Sequence, residues 1–304
     1  RSDVAAVLQI PEAESCGFSC VLVVHSPVET EVAVVYDTVD GEKAYPLCKI
    51  PADPGCNEIQ VYTLEGQESI GNIRYFKERY LEETPVFDAK IPSDEVIDII
   101  IPIYNGLQYF DKLFAGIEKT KMKYRLILVD DQSPDPAVRE YLEQYVAEHE
   151  GTVLLRNEKN MGFLPSVNRA LAIAEHHVAL VNTDVEVPEG WLERLMWPIF
   201  TKEKVASSTP FTTCGTICSF PNFCEDNVIF EGMPLWQIDD AFRQIRPQYA
   251  TMPTGIGFCM GMNLEAIREV GLLDEENFDK GYGEENDWCQ RAIQAGYTTV
   301  QAEN

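Results

Sequence analysis

The chain has 304 residues, of which 45% are hydrophobic and 24% charged, so it is long and apolar enough to fold as one large domain or two modest ones. Its 50 acidic and 24 basic residues give a formal net charge of −26, and the sequence has no cluster of Lys and Arg, which argues against nucleic acid as a partner. We expect no transmembrane segment and a cytoplasmic location, because no apolar run approaches ~20 residues and the start does not resemble a signal peptide. Other parts of a larger protein could still place it at a membrane surface.

The nine cysteines are odd in number and scattered through apolar surroundings, which favours free thiols over a disulfide framework. Two pairs, Cys16 with Cys20 and Cys214 with Cys218, lack the spacing and the His partners of a zinc site. We therefore expect these four cysteines to be small buried hydrophobic residues.

Residues 1–80 predict a small antiparallel β unit. The runs "CVLVVHS", "EVAVVYDTV" and "NEIQVYTL" are β-branched and are separated by turn signals such as "VDGEK" and "PADPGCN". The Pro-rich and acidic residues 81–95 have no periodicity and are interpreted as a linker, which leaves residues 96–304 as a second domain. The β-rich accessory domain has three open roles: binding carbohydrate, mediating assembly, or completing a larger neighbouring domain.

From residue 96 onward the pattern alternates strands with helices. "VIDIIIPIY", "YRLILVDD", "TVLLRN" and "HVALVNTD" predict buried strands, and "LQYFDKLFAGIEK", "DPAVREYLEQYVAEH" and "FLPSVNRALAIAEH" predict the helices between them. This order predicts an α/β fold with a doubly wound, mostly parallel sheet and right-handed crossovers. In such sheets ligands bind beyond the carboxyl ends of the strands.

Three of these strands end on polar or acidic residues, in "PIYNG", "VDDQSPD" and "VNTDVEVPEGW". Placing such groups after buried strands costs desolvation unless a ligand is bound there. The sequence lacks GxGxxG after the first strand and GxxxxGK[ST] throughout, so a divalent cation is a better candidate than a glycine loop for holding phosphates. Asp184 is the first candidate ligand and Glu186 the second. The alternative for Asp184 is an N-cap of a helix that begins near Pro188.

Five segments together resemble the family-two glycosyltransferases of the GT-A fold: "IIIPIYNG", "LILVDDQSPD", "NEKNMGFLPSVNRALAIA", "LVNTDVEVPEGWLERL" and "GYGEENDWCQRAIQAGY". The resemblance covers about residues 96–304. It implies an inverting transfer of a hexose or deoxyhexose from a nucleoside-diphosphate sugar to a hydroxyl acceptor, with help from Mn²⁺ or Mg²⁺. A polysaccharide or another glycan is the expected acceptor, which would place the enzyme in polysaccharide biosynthesis.

The resemblance also implies roles for individual residues. "NTD" (182–184) stands where the family has its metal-binding DXD, with Asn182 in place of the first Asp, so Asp184 remains the main ligand. A turn at Asn105, an Asx-turn at Asp131 and a loop at Asn160 are the structural alternatives. The residues that the resemblance assigns to the nucleotide are Pro102, Tyr104, Asn105, Asp130, Asp131, Asn160, Gly162, Asn168, Asn182 and Thr183.

The segment "PTGIGFCMGMNLEAIREVG" (253–271) predicts a glycine-rich strand followed by a helix. The resemblance places this strand under the donor sugar and the acceptor, with Gly255, Gly257 and Trp288 at the pocket. The alternative is a strand at the sheet edge that needs small residues.

The acidic segment "EENDWCQRAIQAG" predicts a helix that begins near Glu284 and stops at Gly296. Asp287 and Arg291 form an i,i+4 pair, and Glu284 shares their helix face and suits the positive end of the helix dipole. Glu285 points about 100° away from that face. The resemblance places the family's general base at Glu285, leaving Glu284, Asp287 and Arg291 in supporting roles.

Two other functions stay open. One is a non-catalytic module that binds sugar nucleotides or glycans, and the other is a nucleotidyltransferase, which normally needs a basic, glycine-rich loop that "PIYNGLQYF" does not supply. The resembled family often continues into a segment with a further metal-binding His, so we expect either an incomplete ligand set or a chain that is cut short. The sequence does not predict an oligomeric state.

Overall fold

A computed structural model describes residues 94–215, 217–220, 222–224, 226–227, 234–243, 249–278 and 283–303, together with the backbone of four strands between residues 22 and 63. These four strands are β1 (Leu22–His25), β2 (Thr30–Thr38), β3 (Gly41–Ile50) and β4 (Gln60–Thr63). β1 pairs with β4 and β2 with β3, so the predicted antiparallel pairing is confirmed, although β3 was not among the three predicted strands. Residues 81–93 of the predicted linker lie outside the described residues, and the domain boundaries stay predictions.

The predicted alternation of strands and helices is confirmed in the next part of the chain. Its elements are β5 (Val96–Ile103), α1 (Leu107–Glu118), β6 (Lys123–Asp130), α2 (Pro136–Glu148), β7 (Val153–Arg156), α3 (Phe163–Leu171) and β8 (His177–Val181). The second half contains α4 (Trp191–Thr201), β9 (Val205–Thr209), α5 (Leu235–Phe242), β10 (Tyr249–Met252), β11 (Cys259–Met262), α6 (Leu264–Val270), α7 (Glu284–Gln294) and β12 (Thr298–Ala302).

Eight of the described strands form one mixed sheet in the order β10-β12-β9-β11-β8-β5-β6-β7. β5, β6, β7 and β8 are parallel to their neighbours within this group, as are β9 and β12. β11 runs antiparallel between β8 and β9, and β10 is antiparallel to β12. The carboxyl ends of β5, β6 and β8 therefore lie at one edge of the sheet.

Two apolar clusters cover the two faces of this sheet. Ile99 and Ile101 of β5 belong to the cluster that contains Phe110 and Phe114 of α1, whereas Ile100 belongs to the cluster that contains Trp288 of α7. Successive residues of a strand point to opposite faces, so a strand with helices on both sides must be apolar throughout. This burial explains the uninterrupted apolar run of β5.

Helix α3 ends at Leu171 and is shorter than the sequence predicts, because a buried carboxylate binds the chain that follows it. Asp98 is fully buried in β5, and its Oδ2 accepts hydrogen bonds from the main-chain nitrogens of Glu175 (2.7 Å) and His176 (3.1 Å). The guanidinium of Arg125, its cross-strand partner in β6, donates to both carboxylate oxygens at 2.8 Å. These contacts direct residues 175 and 176 into β8.

Two local predictions are wrong. Residues 253–258 are irregular, and the predicted glycine-rich strand is limited to the four residues of β11. Cys214 is exposed and its thiol donates to Asp226 Oδ1 at 3.0 Å, although Cys218 is buried as expected. A thiol in a loop can form such a hydrogen bond at the protein surface. The apolar composition of the surrounding sequence does not reveal this contact. Cys16 and Cys20 lie outside the described residues.

Candidate active site

The ends of β5, β6 and β8 meet at one place. Asn105, in the left-handed region at φ 59°, donates its main-chain N–H to Ser133 Oγ at 3.0 Å, and Ser133 N donates to Asp130 Oδ1 at 2.9 Å. A Cβ added to Gly106 would lie 3.3 Å from Thr183 Oγ1, so only a glycine permits this close approach without a shift. The structure thus brings together the predicted nucleotide residues at these strand ends. Pro102 is half-buried beside them, and Tyr104 is 51% exposed.

Asp131 is buried at the end of β6 and holds the segment that precedes α3. Its Oδ1 accepts hydrogen bonds from Met161 N and Asn157 Nδ2, both at 2.7 Å, and its Oδ2 accepts one from Gly162 N at 2.8 Å. Asn160, one of the predicted nucleotide residues, is exposed on this segment, which Asp131 holds in place. The alternative of an Asx-turn at Asp131 is not observed, because Ser133 N binds Oδ1 of Asp130 and both oxygens of Asp131 bind residues 157–162.

One buried residue of this network, Asn157, was not singled out from the sequence. Asn157 is buried, and its Nδ2 donates to Ser166 Oγ at 2.9 Å while its Oδ1 accepts from Arg169 Nη1 at 2.8 Å. The sequence signal was weak, since an Asn after a strand usually marks a turn. Only its burial among polar partners shows that it links β7, Asp131 and α3.

Asn168 was predicted to contact the nucleotide, but its side chain is used elsewhere. It is buried, and its amide donates to Leu273 O (2.8 Å) and Glu275 Oε1 (2.7 Å) while its oxygen accepts from Leu273 N (3.0 Å). These contacts tie α3 to residues 273–275. They account for Asn168 without a nucleotide.

Asp184 is exposed in the loop after β8, close to the other strand ends. Helix α4 begins at Trp191 with Gly190 at its N-cap, so Asp184 is not the cap of that helix and this alternative is wrong. Asn182 donates its main-chain N–H to Phe258 O at 2.8 Å, and its Oδ1 is buried without a hydrogen-bond partner among the described residues. An amide oxygen in that state is available to a ligand.

The oxygen donors of Asn182 and Asp184 suit a hard divalent cation. Mg²⁺ and Mn²⁺ need only one or two protein carboxylates when substrate phosphates and water complete the shell. Glu186, the second candidate, pairs its Oε2 with Lys112 Nζ at 3.1 Å across an exposed surface. Within the part of the chain that the structure describes, no group of three or more His, Cys, Asp and Glu side chains could hold a metal by itself.

The three acidic residues at the start of α7 and Arg291 in its last turn differ in burial and partners. Glu284 is buried, Glu285 is half-buried, and Asp287 Oδ2 accepts from Arg291 Nε at 2.8 Å, which confirms the predicted pair. Arg291 also donates to Val270 O (2.5 Å) and Leu272 O (2.8 Å). Glu285 Oε2 is buried and has no hydrogen-bond partner among the described residues. This oxygen is therefore not occupied by a hydrogen bond to the described part of the protein.

Trp288, predicted at the sugar pocket, is completely buried, and its Nε1 donates to Gly271 O at 2.9 Å. Its ring has no surface to offer a sugar. It supports α7 from the core. Gly281 and Tyr282 lie outside the described residues.

The loop that contains Gly255 and Gly257 is attached to α7. Thr254 Oγ1 donates to Asn286 Oδ1 at 2.8 Å, and Gly255 N donates to Cys289 Sγ at 3.1 Å. Burial raises the pKa of the Cys289 thiol, with the charge of Glu285 acting in the same direction, so the thiol stays protonated at neutral pH. A Cβ on Gly255 would lie 2.8 Å from Met260 Cε and 3.2 Å from Ser207 Oγ. The predicted pocket glycines and the helix of Glu285 are therefore neighbours.

A cavity of about 350 Å³ lies beside Asp184 and was not predicted from the sequence. Residues 184–188, α4, α5 and the segments around residues 211 and 258 line it. The wall is mostly apolar, and it includes Phe211, Phe220, Phe242 and Phe258. These residues come from separate parts of the chain, which is why no single sequence motif marks the cavity.

Comparisons with known proteins show the family and the fold of this chain. Residues 98–271, more than half of the chain, match the family model described as Glycosyl transferase family 2. N-acetylgalactosaminyltransferase 7 of Drosophila melanogaster is 26% identical over 239 residues, which are 71% of this chain and 40% of that protein. The chain thus spans less than half the length of this relative.

The fold is shared with a solved structure of GalNAc-T7 that contains UDP, GalNAc and Mn²⁺. It matches with a TM-score of 0.56 and 16% identity, covering 79% of this chain and 52% of that one. A mannosyltransferase from Pyrobaculum calidifontis, solved with GDP-Man and Mn²⁺, matches with a TM-score of 0.48 and 14% identity over 76% of this chain and 60% of its own. Separately, no helix within the described residues has both the length and the apolar surface that crossing a bilayer requires.

Proposed function

Because the chain belongs to glycosyl transferase family 2, we propose that it transfers a sugar, with inversion, from a nucleoside-diphosphate sugar to a hydroxyl group of a glycan or another acceptor. The observation that carries the proposal is the state of Glu285. Its Oε2 is buried and lacks a partner among the described residues, at the start of a helix that is bonded to the loop of Gly255. A carboxylate held in this way can serve as a general base.

The nucleoside would bind at the joined ends of β5 and β6. Asn105, Asp130 and Ser133 form one hydrogen-bonded turn there, and Asp131 fixes the segment from Asn160 to Gly162 next to it. Such a preorganised wall limits the ordering that binding would otherwise require. Asp131 would act by positioning, because both of its oxygens already bind protein groups.

Asp184 and the unpartnered amide oxygen of Asn182 would hold a divalent cation. When bound, Mn²⁺ or Mg²⁺ neutralises the charge that develops on the diphosphate. The GalNAc-T7 structure that shares this fold contains UDP and Mn²⁺, which supports testing UDP-sugars and Mn²⁺ first.

In the proposed reaction Glu285 accepts the proton of the acceptor hydroxyl. The hydroxyl oxygen forms a bond to the anomeric carbon on one face while the bond from that carbon to the diphosphate oxygen breaks on the other. The bonding electron pair leaves with the nucleoside diphosphate. Positioning by Gly255 and its neighbours, and a base that needs no reorganisation, would contribute most of the rate.

A binding and turnover experiment tests this function. The purified chain is titrated with UDP-, dTDP- and GDP-sugars with and without Mn²⁺, and donor hydrolysis and transfer to glycan acceptors are then measured. We expect binding of at least one donor and a turnover that Glu285→Gln lowers by about 10²- to 10⁴-fold without loss of donor binding. Glu140→Gln, at an exposed position on α2, is the matched control. Near-normal transfer by Glu285→Gln would show that Glu285 is not the base.

The same experiment separates the alternatives. Donor binding without hydrolysis or transfer favours the non-catalytic module, and release of pyrophosphate from a nucleoside triphosphate favours a nucleotidyltransferase. The segment after β5 contains no basic glycine-rich loop, which argues against the second alternative. The cytoplasmic location stays a prediction.

A further inference from the structure

We propose that the cavity beside Asp184 binds an uncharged apolar group of the acceptor, aromatic or aliphatic, which is linked to the hydroxyl that receives the sugar. The inference rests on the proposed function and adds to it the chemical class of the acceptor. The cavity has a volume of about 350 Å³, within the range of small-molecule sites. A cavity of about 150 Å³ already holds a benzene ring, so this volume has room for a ring or an alkyl chain of several carbons.

The wall of the cavity has the chemistry of an apolar site. The rings of Phe211, Phe220 and Phe242 form a mutual cluster, with centroids 5.1, 5.7 and 5.2 Å apart in pairs. Leu235 and Ile238 extend this surface along α5. A group rich in hydroxyls would lose its hydrogen bonds to water there without replacement, whereas an apolar group gains from leaving water.

The charges at the cavity disfavour an anionic occupant. Asp184 and Glu186 lie on its wall, and the guanidinium of Arg194 is already paired with Asp239 at 2.5 Å. Asp239 also pairs with Arg243 Nε at 2.6 Å. The guanidinium of Arg194 is therefore neutralised, so a carboxylate or phosphate would find no unpaired protein cation among the described lining residues.

The same ion pairs show that the cavity is preformed. Arg194 belongs to α4 and Asp239 to α5, and both side chains are buried. Arg243, at the end of α5, donates to Glu189 O at 2.6 Å, in the loop before α4. These contacts fix the helix that supplies Leu235, Ile238 and Phe242 to the wall, so the cavity does not have to form when a ligand arrives.

The position of the cavity points to the acceptor rather than to the nucleoside. Its wall contains Asp184, where the diphosphate would bind, and Phe258, whose carbonyl accepts from Asn182 N. Phe258 is three residues after Gly255, which is bonded to α7 one turn from Glu285. A bound group would therefore lie next to the loop after β8, which carries the proposed metal ligands. It would also lie next to the loop of Phe258, which is hydrogen-bonded to the helix of the proposed base. The nucleoside residues, by contrast, lie at the ends of β5 and β6.

The test compares acceptors that differ only in their apolar group. Methyl, hexyl, phenyl and 4-carboxyphenyl β-glucosides and β-galactosides are titrated into the full chain with UDP and Mn²⁺, and binding is followed by isothermal titration calorimetry. We expect the hexyl and phenyl glycosides to bind at least about tenfold more tightly than the methyl glycosides. The carboxyphenyl glycosides should lose this advantage.

A variant that fills the cavity shows whether the preference arises there. Thr213 lies on the wall and is exposed at the rim, so Thr213→Trp should block the cavity without disturbing the core, whereas Thr213→Ser should leave it open. We expect the apolar preference to disappear in Thr213→Trp and to persist in Thr213→Ser. Circular dichroism and UDP binding report whether each variant is folded.

Two results would overturn the inference: equal affinity of the methyl and phenyl glycosides for the wild-type chain, or a phenyl preference that survives Thr213→Trp in a folded protein. Failure of the proposed function looks different. In that case no nucleotide sugar binds or reacts, whatever the preference among glycosides. Sugar transfer without any apolar preference rejects the cavity assignment and leaves the proposed function intact.

Discussion

The main-chain nitrogen of Gly255 donates a hydrogen bond to Sγ of Cys289, at 3.1 Å, and Cys289 lies one helical turn after Glu285 on α7. Ser207 Oγ lies 3.8 Å from the same sulfur. The thiol therefore connects a sheet strand, the loop of the predicted pocket glycines and the helix of the proposed base. A small change at Cys289 should alter the position of the loop relative to Glu285.

Cys289→Ala removes the acceptor of the Gly255 N–H and leaves the rest of the pocket in place. We expect kcat of sugar transfer to fall by about 10-fold or more, because small displacements near reacting groups are costly, while UDP affinity changes little. Steady-state kinetics with a calorimetric titration of UDP separates the two quantities. Cys224→Ala, at an exposed position, is the control. An unchanged kcat in Cys289→Ala would show that this hydrogen bond does not position the loop.

Asp131→Ala should destabilise the fold and weaken nucleotide binding together. The substitution removes the acceptor of Met161 N and Gly162 N and one of the two acceptors of the buried Asn157 amide, and an unsatisfied donor costs about 1–3 kcal/mol where it is buried. We expect a loss of about 3 kcal/mol or more in the free energy of unfolding, measured by urea denaturation. Asp135→Ala removes one N-cap hydrogen bond on α2, to Ala137 N, and should cost only about 1 kcal/mol. Equal losses in the two variants would contradict the central role of Asp131.

Asp184→Ala should abolish the increase in UDP affinity that Mn²⁺ produces. Asn182→Asp adds a second carboxylate and should strengthen that increase, since the cation gains a charged ligand in place of an amide. Isothermal titration of UDP at several Mn²⁺ concentrations measures both effects. Glu186→Gln is the comparison, because Glu186 is paired with Lys112 and should contribute less than Asp184. A larger effect at Glu186 would reverse the ligand assignment.

Asp98→Ala should destabilise the protein strongly without a direct effect on the site. The substitution removes the buried carboxylate from Arg125, which keeps only its exposed partner Glu175, and it also leaves two main-chain nitrogens without their acceptor. We expect a combined cost of about 3–5 kcal/mol. Asp94→Ala breaks the exposed pair with Lys123, which should cost about 1 kcal/mol or less. Denaturant unfolding of both variants measures the difference, and a loss in Asp98→Ala as small as that in Asp94→Ala would be incompatible with the buried pair.

His177 should make the fold less stable at acidic pH. Burial lowers its pKa below the ordinary value of 6.5, and its Nδ1 accepts a hydrogen bond from Leu264 N at 3.0 Å. The unfolded chain then binds a proton at this histidine more readily than the folded chain does, so stability falls as the pH decreases below 6.5. His177→Asn keeps an acceptor but cannot titrate. Between pH 7.5 and pH 5.5, the free energy of unfolding should decrease more in the wild type than in this variant.

The strands and helices could be predicted where burial is uniform. The continuous apolar run of β5 follows from helices on both faces, and the start of α7 follows from acidic residues after a glycine. The end of α3 could not be predicted, because it depends on Asp98, which lies 77 residues from Glu175 in the sequence. Local propensity carries no information about such a tertiary acceptor.

The candidate site was predictable to a similar degree. Asn105, Asp130 and Thr183 stand directly at strand ends, where the chain order already brings them together. The roles of Asn157 and Asn168 were hidden, since an Asn in a loop or a helix is buried only by its tertiary partners. The cavity was hidden for the same reason: Phe211 and Phe242 meet only after the chain has folded back over α4.

The two ends of β5 have different structural roles. At its amino end Asp98 and Arg125 form a buried ion pair, and at its carboxyl end Asn105 and Gly106 lie beside Thr183. Between them lie the fully buried Ile99, Ile100 and Ile101. Under the proposed function, substitutions at the carboxyl end change the donor site while the far end keeps the domain folded, which makes this edge a suitable place for directed evolution of new specificities.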